Sequence, residues 1–381
     1  MPQLESVIIS GGGTGGHIHP ALAIADEIRK RYPSCTIKFV GALGRMEMSK
    51  VPAAGYDIDG LWITGIERKI TSLRNLSFPF KLISSLLKAG RLIRSYKPQV
   101  VIGVGGFASG PVLFRASRRG IPTLIQEQNS FPGITNRILA GKVDKVCAGF
   151  PGLSRWFPSD KIVETGNPLR DGVLKLLSEK VDSRAAHFGL GSDKPLVFIM
   201  GGSLGAASMN SAVKKIVESF IVKGSAPYSI LWQSGDRYHS ECSAWLEKLV
   251  STNPWIGDSV KCLGFVDRMD LAYSAADLIA SRAGAMSISE LSLVAKPTIL
   301  IPSPHVAEDH QTKNALSLVD RDAAIMLSDS DVVSKLGSTI NKTLGNSDKT
   351  SAMCKALRSC ARPKACTTIV DEIESLLNSR Q

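Results

Sequence analysis

Residues 7–17 of the chain read Val-Ile-Ile-Ser-Gly-Gly-Gly-Thr-Gly-Gly-His, and this stretch decides the fold. A short apolar run typical of a buried strand leads into a glycine-rich turn, and the pattern predicts a helix that begins near Pro20. Glycine adopts positive φ angles and lets a ligand approach the backbone, while the amides at a helix start carry about half a positive charge. The turn therefore predicts an anion site, with His17 beside a bound phosphate.

The glycine spacing alone does not identify the ligand. Gly11, Gly13 and Gly16 fit the G-x-G-x-x-G fingerprint of dinucleotide-binding folds. In those folds an acid that binds a ribose follows about 20 residues later, at the end of the next strand. The next strand here, predicted over 36–40, ends in Gly41-Ala42-Leu43. The sequence therefore favours the phosphate or pyrophosphate of another ligand over NAD or FAD.

The unit of strand, glycine turn and helix recurs three more times. Further strands are predicted at 100–104, 196–200 and 277–281, and each leads through a glycine-containing turn into a predicted helix. Such alternation is typical of α/β proteins with doubly wound parallel sheets. Two units fall in each half, so we predict two Rossmann-like domains that face each other, with a linker near Gly166-Asn167-Pro168. A last helix, predicted over 355–377, could pack on either domain.

The composition is that of a soluble globular protein. The chain has 381 residues, 44% hydrophobic and 21% charged, a length that suggests two domains. We expect no signal peptide and no membrane span, since no stretch of about 18 residues is continuously apolar. The seven cysteines form no C-x-x-C pair, which favours a reducing compartment and argues against disulfides or a zinc site.

The positive charge is concentrated in the first half. The formal net charge is +12, and residues 1–166 supply 22 basic and 11 acidic residues. Residues 68–126 contain eleven basic residues and no acid. No recognition-helix pattern accompanies them, so the sequence favours an anionic membrane surface over nucleic acid as the partner.

Apolar residues within this basic stretch have two interpretations. Pro79 is predicted to open a helix whose apolar stripe packs on the sheet, with Leu82, Ile83, Leu86 and Ile93 in the stripe. The segment before that helix is then the better membrane-binding candidate. Its predicted membrane residues are Leu73, Leu76, Phe78 and Phe80.

Seven ordered motifs extend from about residue 7 to about residue 320. They are Gly12-Gly13-Thr14-Gly15-Gly16-His17, Gly105-Gly106-x-x-Ser109-Gly110-Pro111, Glu127-Gln128-Asn129, Gly166-Asn167-Pro168-x-Arg170, Gly201-Gly202-Ser203-x-Gly205-Ala206, Arg282-x-Gly284-Ala285 with Ser289-Glu290, and Gln311-x-x-Asn314-Ala315. In this order they resemble the motifs of the MurG family of bacterial glycosyltransferases.

The resemblance implies a GT-B fold, in which two Rossmann-like domains with parallel sheets face a cleft. Residues 1–166 would form the acceptor- and membrane-binding domain, on which a C-terminal helix at about 355–381 could pack. Residues 167–354 would form the domain that binds UDP-N-acetylglucosamine (UDP-GlcNAc). The implied reaction is an inverting transfer of N-acetylglucosamine to the muramyl 4-hydroxyl of undecaprenyl-pyrophosphoryl-muramyl-pentapeptide, a peptidoglycan precursor, without a metal or other cofactor. The implied place is the cytoplasmic face of the cell membrane, or a plastid in a eukaryote, in contact with a cell-wall synthesis complex.

The chemistry of such a transfer assigns roles to several residues. A base must take the proton of the attacking hydroxyl, and a positive group must stabilise the departing UDP. His17 is the predicted base because imidazole titrates near neutral pH, and Glu127 is an alternative base or orients His17. Arg170 and the turn at 201–206 are predicted to stabilise the diphosphate in place of a metal.

The resemblance also assigns binding residues. Glu290 would accept the ribose hydroxyls, Val266 would meet the uracil through its backbone, and Gln311 and Asn314 would read the sugar from one helix face. The other predicted donor contacts are Thr14, Gly15, Gly16, Asn129, Ser203, Ala285, Met286, Ser287, Ile288 and Ser289. The predicted contacts to the acceptor pyrophosphate are Gly13, Gly105, Gly106 and Ser109.

Three positions depart from the family pattern, in which His, Tyr and Gln commonly stand where this chain has Gln126, Phe107 and Leu204. These changes leave a catalytically impaired nucleotide-sugar-binding scaffold open as an alternative. Two further alternatives are another GT-B transferase that builds a glycolipid and a UDP-GlcNAc epimerase. The acid-free basic stretch argues against the epimerase. The acids and histidines at 305–310 are interpreted as a solvated loop, not a metal site, because further ligands are missing.

Overall fold

The computed structural model describes residues 3–65, 76–177, 186–191, 193–202 and 204–379. The chain divides into unit 1, Met1–Arg170 with Arg362–Gln381, and unit 2, Asp171–Ala361. The boundaries thus fall after residues 170 and 361, where 166 and 354 were expected. The predicted linker at Gly166-Asn167-Pro168 lies inside unit 1.

The described part of unit 1 contains one parallel sheet. Its strands are β1 (Ser6–Ser10), β2 (Thr36–Ala42), β3 (Asp57–Leu61), β4 (Val100–Gly103), β5 (Thr123–Glu127), β6 (Lys145–Ala148) and β7 (Ile162–Val163). They are ordered β3-β2-β1-β4-β5-β6-β7, and every pairing is parallel.

The described part of unit 2 contains a second parallel sheet. Its strands are β8 (Leu196–Met200), β9 (Ser229–Gln233), β10 (Val260–Leu263), β11 (Leu278–Ser281), β12 (Thr298–Leu300) and β13 (Ile325–Met326). Their order is β10-β9-β8-β11-β12-β13. The predicted α/β class with two doubly wound parallel sheets is confirmed.

The helices connect these strands. They are α1 (Gly15–Arg31), α2 (Glu47–Ala53), α3 (Phe78–Tyr96), α4 (Ser109–Ser117), α5 (Ile134–Leu139), α6 (Asp171–Leu174), α7 (Ala207–Lys223), α8 (Asp236–Thr252), α9 (Met269–Ala275), α10 (Ala285–Val294), α11 (His310–Val319), α12 (Val332–Leu344), α13 (Ser347–Cys360) and α14 (Ala365–Asn378). Short 3₁₀ turns lie at Leu153–Arg155, Ser159–Lys161, Lys175–Leu177, Ala186–Phe188, Pro254–Ile256 and Ala307–Asp309. The first helix begins at Gly15, not near Pro20, which places His17 in its first turn.

The predicted single helix over 355–377 is wrong. Helix α13 ends at Cys360 and belongs to unit 2, whereas α14 begins at Ala365 and belongs to unit 1. Pro363 lies between them, and proline cannot supply the N–H that a continuous helix needs. Helix α14 packs on α1, where Arg31 bonds Asp371 at 2.6 Å and Glu374 at 3.0 Å.

Both faces of the unit 1 sheet are covered. Apolar residues of α1 and α14 pack on one face, and those of α3, α4 and α5 on the other. Helix α3 presents mainly small side chains to the unit, since its buried residues are Ser85, Ala89, Gly90 and Ile93. Ile83, predicted to lie in the buried stripe, is 57% exposed.

Candidate functional site

Each sheet has a switch point beside two glycine turns. In unit 1 the strand order runs outward in opposite directions from β1 and β4, and in unit 2 from β8 and β11. Ligands of open α/β sheets bind outside the carboxyl ends of the strands at such a point. The turns after these four strands, at 11–17, 104–110, 201–206 and 282–285, are the four turns singled out in the sequence. Each unit therefore has one candidate ligand site.

The two glycine turns of unit 1 are in contact. Gly12 and Gly106 have φ angles of 143° and 85°. A Cβ at Gly106 would collide with the backbone of Gly12, so glycine is required there. Ser109 is completely buried, and its Oγ donates to Gly106 O at 2.9 Å. The Ser109 hydroxyl thus stabilises the turn at Gly105-Gly106.

Glu47, which sequence reasoning missed, fills the space beside the first turn. It is 1% exposed, and a Cβ at Gly12 would collide with its carboxyl group. Its Oε2 accepts the N–H of Gly13 at 2.8 Å, and its Oε1 accepts the N–H of Ala42 at 3.0 Å. The Gly13 amide of the predicted anion site is therefore already bonded to a carboxylate.

The imidazole of His17 is oriented by the same turn. Its Nδ1 lies 2.8 Å from the carbonyl oxygen of Gly12. A carbonyl only accepts, so Nδ1 carries the proton and Nε2 is the basic atom of the neutral ring. Nε2 borders Gly105, where it would lie 3.0 Å from an added Cβ. Thr14 accepts the N–H of His17 at 3.1 Å, and Gly15 and Gly16 complete this first turn.

Glu127 organises the loop that follows β5. It is 1% exposed, and its Oε1 accepts the N–H of Asn129 at 2.9 Å, while its Oε2 accepts from Gly133 N at 3.1 Å and Asn136 Nδ2 at 2.8 Å. Burial raises the pKa of this carboxyl, and these hydrogen bonds oppose the shift. The contacts favour a structural role for Glu127 over that of the base.

Asn136 places a further polar atom near His17. The residue is 2% exposed, and its Oδ1 is buried without a hydrogen-bond partner. Its Nδ2 also borders Gly105, on the face where His17 Nε2 lies. An acceptor without a partner inside a protein is costly, so it is a candidate to receive a ligand hydroxyl.

Positive charge surrounds the start of α1. The pKa of His19 is lowered to about 4 by burial, and next by the charges of Arg170 and Lys50. His19 is therefore uncharged at neutral pH, whereas Arg170 and Lys50 bring positive charge close to this helix start.

Gln126, which stands where the family pattern commonly has histidine, has a structural role. Gln126 is completely buried, and its Nε2 donates to Asn167 Oδ1 at 2.9 Å. Asn167 Nδ2 donates to Gln128 O at 2.9 Å, and Gln128 Nε2 donates to Gln126 Oε1. This network ties the segment that carries Asn129 to the segment that carries Arg170. Gln126 itself presents no group to a ligand.

The switch point of unit 2 has two helix starts. The turn at 201–206 leads into α7, but Ser203 lies outside the described residues. The second turn leads into α10, whose first residues include the predicted contacts Ala285, Met286, Ser287 and Ser289. Ile288 is 1% exposed, so its side chain belongs to the core. Leu204 is 76% exposed.

A cavity of about 420 Å³ lies beside Val266, a size within the range of small-molecule sites. Its lining includes Phe188, Phe265 and Arg268, which sequence reasoning missed. Val266 is 1% exposed, and its N–H donates to Gln233 Oε1 at 3.2 Å. A ligand in this cavity could bond to the carbonyl oxygen of Val266 directly. It could reach the Val266 N–H only after Gln233 moves away from it.

Glu290 has a defined orientation on α10. It is 6% exposed, and its Oε2 accepts the hydroxyl of Tyr273 at 2.8 Å. Tyr273 is completely buried on α9, so this hydrogen bond fixes the carboxylate relative to the sheet.

The two amides of α11 are not equivalent. Gln311 is half-buried, and its Oε1 accepts the N–H of Ser303 at 2.9 Å. Asn314 is completely buried, and its Nδ2 lies 3.5 Å from Ala283 O. Asn314 thus contacts the turn before α10, and the sugar contacts of the two amides stay a prediction.

An apolar stripe is exposed on unit 1. Leu76, Phe80, Ile83 and Leu87 are 69%, 70%, 57% and 50% exposed. The last three lie on one side of α3, and Leu76 lies just before this helix. We call these four residues the α3 stripe. Of the predicted membrane residues, Leu76 and Phe80 belong to it, Phe78 is half-buried, and Leu73 lies outside the described residues. Trp62, 51% exposed, lies beside the same helix, because its carbonyl accepts the Ser85 hydroxyl.

Among the described residues no helix is both long and apolar enough to span a bilayer. In the same part of the chain no three His, Cys, Asp or Glu side chains are grouped so that they could hold a metal ion.

Comparison with known proteins assigns the family. The glycosyltransferase family 28 N-terminal domain matches residues 7–148, and the C-terminal domain of that family matches 196–368. A Flavobacterium psychrophilum protein is 47% identical over 374 residues, 98% of each chain, and a Cytophaga hutchinsonii protein is 47% identical over 383 residues, 100% of this chain and 99% of its own. Both are named UDP-N-acetylglucosamine--N-acetylmuramyl-(pentapeptide) pyrophosphoryl-undecaprenol N-acetylglucosamine transferase. The chain belongs to the MurG family.

Solved structures agree with the family. The crystal structure of Acinetobacter baumannii MurG aligns with a TM-score of 0.75 and 28% identity over 97% of this chain and 99% of that one. A UDP-GlcNAc 2-epimerase from Neisseria meningitidis, bound to UDP-GlcNAc, aligns with a TM-score of 0.65 over 98% of this chain and 100% of its own. At 14% identity this second likeness concerns the fold alone. The GT-B fold expected from the sequence is confirmed.

The other two departures from the MurG pattern differ in their surroundings. The ring of Phe107 lies against Gly65 and is 43% exposed, so it covers backbone where the family commonly has a tyrosine. Leu204 places an exposed apolar side chain in the turn of unit 2 that precedes α7.

Proposed function

We propose that this chain transfers N-acetylglucosamine from UDP-GlcNAc to the muramyl 4-hydroxyl of a polyprenyl-pyrophosphate-linked muramyl-pentapeptide. The observation that carries the proposal is the 47% identity, over 98% of each chain, to a protein named for this activity. The site residues at both switch points support it, since each unit offers groups suited to one half of the reaction.

Unit 2 binds the donor. The cavity at Val266 takes the uracil, Glu290 accepts the ribose hydroxyls, and the helix starts of α7 and α10 direct amides at the diphosphate. Ser203 contributes to the turn before α7, and Gln311 reads the sugar. Thr14, Asn129 and Arg170 of unit 1 stay predicted donor contacts, with Arg170 as the predicted cation for the leaving UDP.

Unit 1 binds the acceptor and supplies the base. The pyrophosphate lies against Gly105 and Gly106, near the positive charges around α1. Nε2 of His17 takes the proton of the muramyl 4-hydroxyl while the oxygen attacks the anomeric carbon from the face opposite UDP. The bond to the UDP oxygen breaks, so the configuration inverts, and the negative charge on UDP is met by helix amides and Arg170.

The α3 stripe attaches unit 1 to the membrane surface from which the lipid acceptor protrudes. Exposed apolar side chains with basic residues on the same helix are typical of an interfacial helix, and Trp62 adds a residue suited to the membrane–water boundary. The attachment is peripheral and on the cytoplasmic face. Contact with a cell-wall synthesis complex stays a prediction.

The test is release of UDP with a short-chain, water-soluble muramyl-pyrophosphoryl lipid. Release that depends on both UDP-GlcNAc and this acceptor supports the proposal. Conversion of UDP-GlcNAc without an acceptor would indicate an epimerase, release with a different lipid acceptor would indicate another glycolipid transferase, and binding without turnover would indicate a scaffold.

A further inference from the structure

Glu47 is a buried carboxylate to which the proposed reaction gives no role. It begins α2, and its two oxygens accept different backbone amides, Gly13 N–H at 2.8 Å and Ala42 N–H at 3.0 Å. The contact with Gly13 joins parts of the chain 34 residues apart. A Cβ at Gly12 would collide with the carboxyl group, so only glycine at this position lets Glu47 lie against the turn.

The peptide group between Gly12 and Gly13 is hydrogen-bonded at both ends. Its N–H, which belongs to Gly13, donates to Glu47 at 2.8 Å. Its carbonyl oxygen, which belongs to Gly12, accepts Nδ1–H of His17, also at 2.8 Å. Hydrogen bonds in series polarise one another, so a carboxylate on the N–H makes the carbonyl a stronger acceptor for the imidazole.

We propose that Glu47 is a positioning residue that acts on His17 through the Gly12–Gly13 peptide. It holds the ring in the Nδ1–H tautomer, and its charge makes Nε2 more basic. In serine hydrolases a carboxylate bonded directly to the histidine has this task. In this chain one peptide group lies between the carboxylate and the ring. The effect on turnover rests on the proposed role of His17 as base, whereas the effect on the tautomer does not.

The other charged groups around the start of α1 act differently. His19 on the same helix is uncharged at neutral pH, and Lys50 of α2 and Arg170 oppose a second positive charge nearby. Glu127 at the end of β5 is buried against its own loop. Among the described residues, Glu47 is joined to the His17 ring through the hydrogen bonds on either side of the Gly12–Gly13 peptide.

The experiment is ¹⁵N NMR of the histidines in the full chain, with the His17 signals identified by their loss in His17→Gln. The wild type should show neutral His17 as the Nδ1–H tautomer. Glu47→Gln keeps the shape but has one acceptor oxygen for two N–H groups. Its His17 titration midpoint should fall by about half a unit to one unit, because a nearby negative charge that favours the protonated ring is lost.

Steady-state kinetics provides the second measurement. Turnover of Glu47→Gln should fall about tenfold, while the KM for UDP-GlcNAc stays unchanged. Loss of the group that orients a functional histidine typically lowers activity about 10- to 100-fold, and one intervening peptide favours the smaller effect. Asp144→Asn is the matched control, because Asp144 accepts the backbone N–H of Thr123 at 2.8 Å elsewhere in unit 1. It should shift neither the tautomer nor the titration.

Three outcomes decide the matter. An Nε2–H tautomer in the wild type overturns the proposal without any variant, which covers the case that Glu47→Gln fails to fold. Equal changes in Glu47→Gln and Asp144→Asn also overturn it, since the role would then be general stability. The expected tautomer and shift, together with undiminished turnover of His17→Gln, would support the link to Glu47 and refute His17 as base.

Discussion

The double substitution Phe80→Ser with Ile83→Ser should weaken membrane binding and leave the fold intact. Full burial of a Phe or Ile side chain contributes about 1.5–3 kcal/mol. Phe80 and Ile83 are 70% and 57% exposed, so insertion into a bilayer would remove roughly two thirds of each from water. The pair then contributes about 2–4 kcal/mol, which corresponds to about 30-fold to several hundredfold in partition.

The assay is sedimentation with anionic vesicles, followed by kinetics with two acceptors. The double variant should bind vesicles more weakly and show a raised apparent KM for a long-chain lipid acceptor, while turnover of a short-chain acceptor stays nearly unchanged. Vesicle binding of the wild type should weaken with salt, because each basic residue near an anionic surface contributes about 1 kcal/mol within a Debye length of about 8 Å. Val222→Ser is the control, since Val222 is 87% exposed on α7 of unit 2.

Equal losses with both acceptors, or equal vesicle binding by the double variant and Val222→Ser, would refute the membrane role of the α3 stripe.

Three further predictions concern the site. Glu290→Ala should weaken UDP-GlcNAc binding by about 1.5–3 kcal/mol in calorimetry, the range for hydrogen bonds to a charged group, and an unchanged affinity would refute the ribose contact. Activity should persist in EDTA, and Arg170→Ala should lower turnover by on the order of tenfold to a thousandfold; loss in EDTA with rescue by Mg²⁺ would contradict the metal-free mechanism. The pKa of His19 is lowered from 6.5 to about 4, so the folded state binds fewer protons than the unfolded state between these values, and stability should fall as pH falls through this window. His19→Phe should remove part of that loss in denaturant titrations, and an identical pH dependence would contradict it.

The fold could be predicted because its signals are local. Each glycine turn follows an apolar strand directly in the sequence, and the strand order places these turns at the switch points. Pro363 marks the break between α13 and α14 in the sequence. The apolar residues on both sides of it have helical spacing, and this pattern favoured a single helix over the break.

The error at Ile83 of α3 has a physical cause. Helical spacing places Ile83 beside Leu82 and Leu86 in the predicted stripe, but also in line with Phe80, which was predicted to bind the membrane. The helix packs closely through Ser85, Ala89 and Gly90, so Ile83 remains outside with Phe80. Spacing shows that a helix has an apolar face, but it does not show which face is covered.

The missed site residues depend on long-range contacts. Glu47 lies on a short helix far from the first glycine turn in sequence, and Asn167 resembles a linker residue although its amide is bonded to Gln126 and Gln128. Such contacts form when strands are brought side by side in the sheet. An R-M-E or G-N-P segment alone gives no indication of them.

The most direct test of the central claim is a single-turnover reaction of the purified chain with UDP-GlcNAc and a short-chain muramyl-pyrophosphoryl acceptor, with the product analysed by NMR. The proposed function predicts one UDP released for each disaccharide formed, with a β linkage to the muramyl 4-hydroxyl. It also predicts that His17→Gln retains UDP-GlcNAc binding and loses turnover. An α-linked product, or UDP release without a disaccharide, would contradict it.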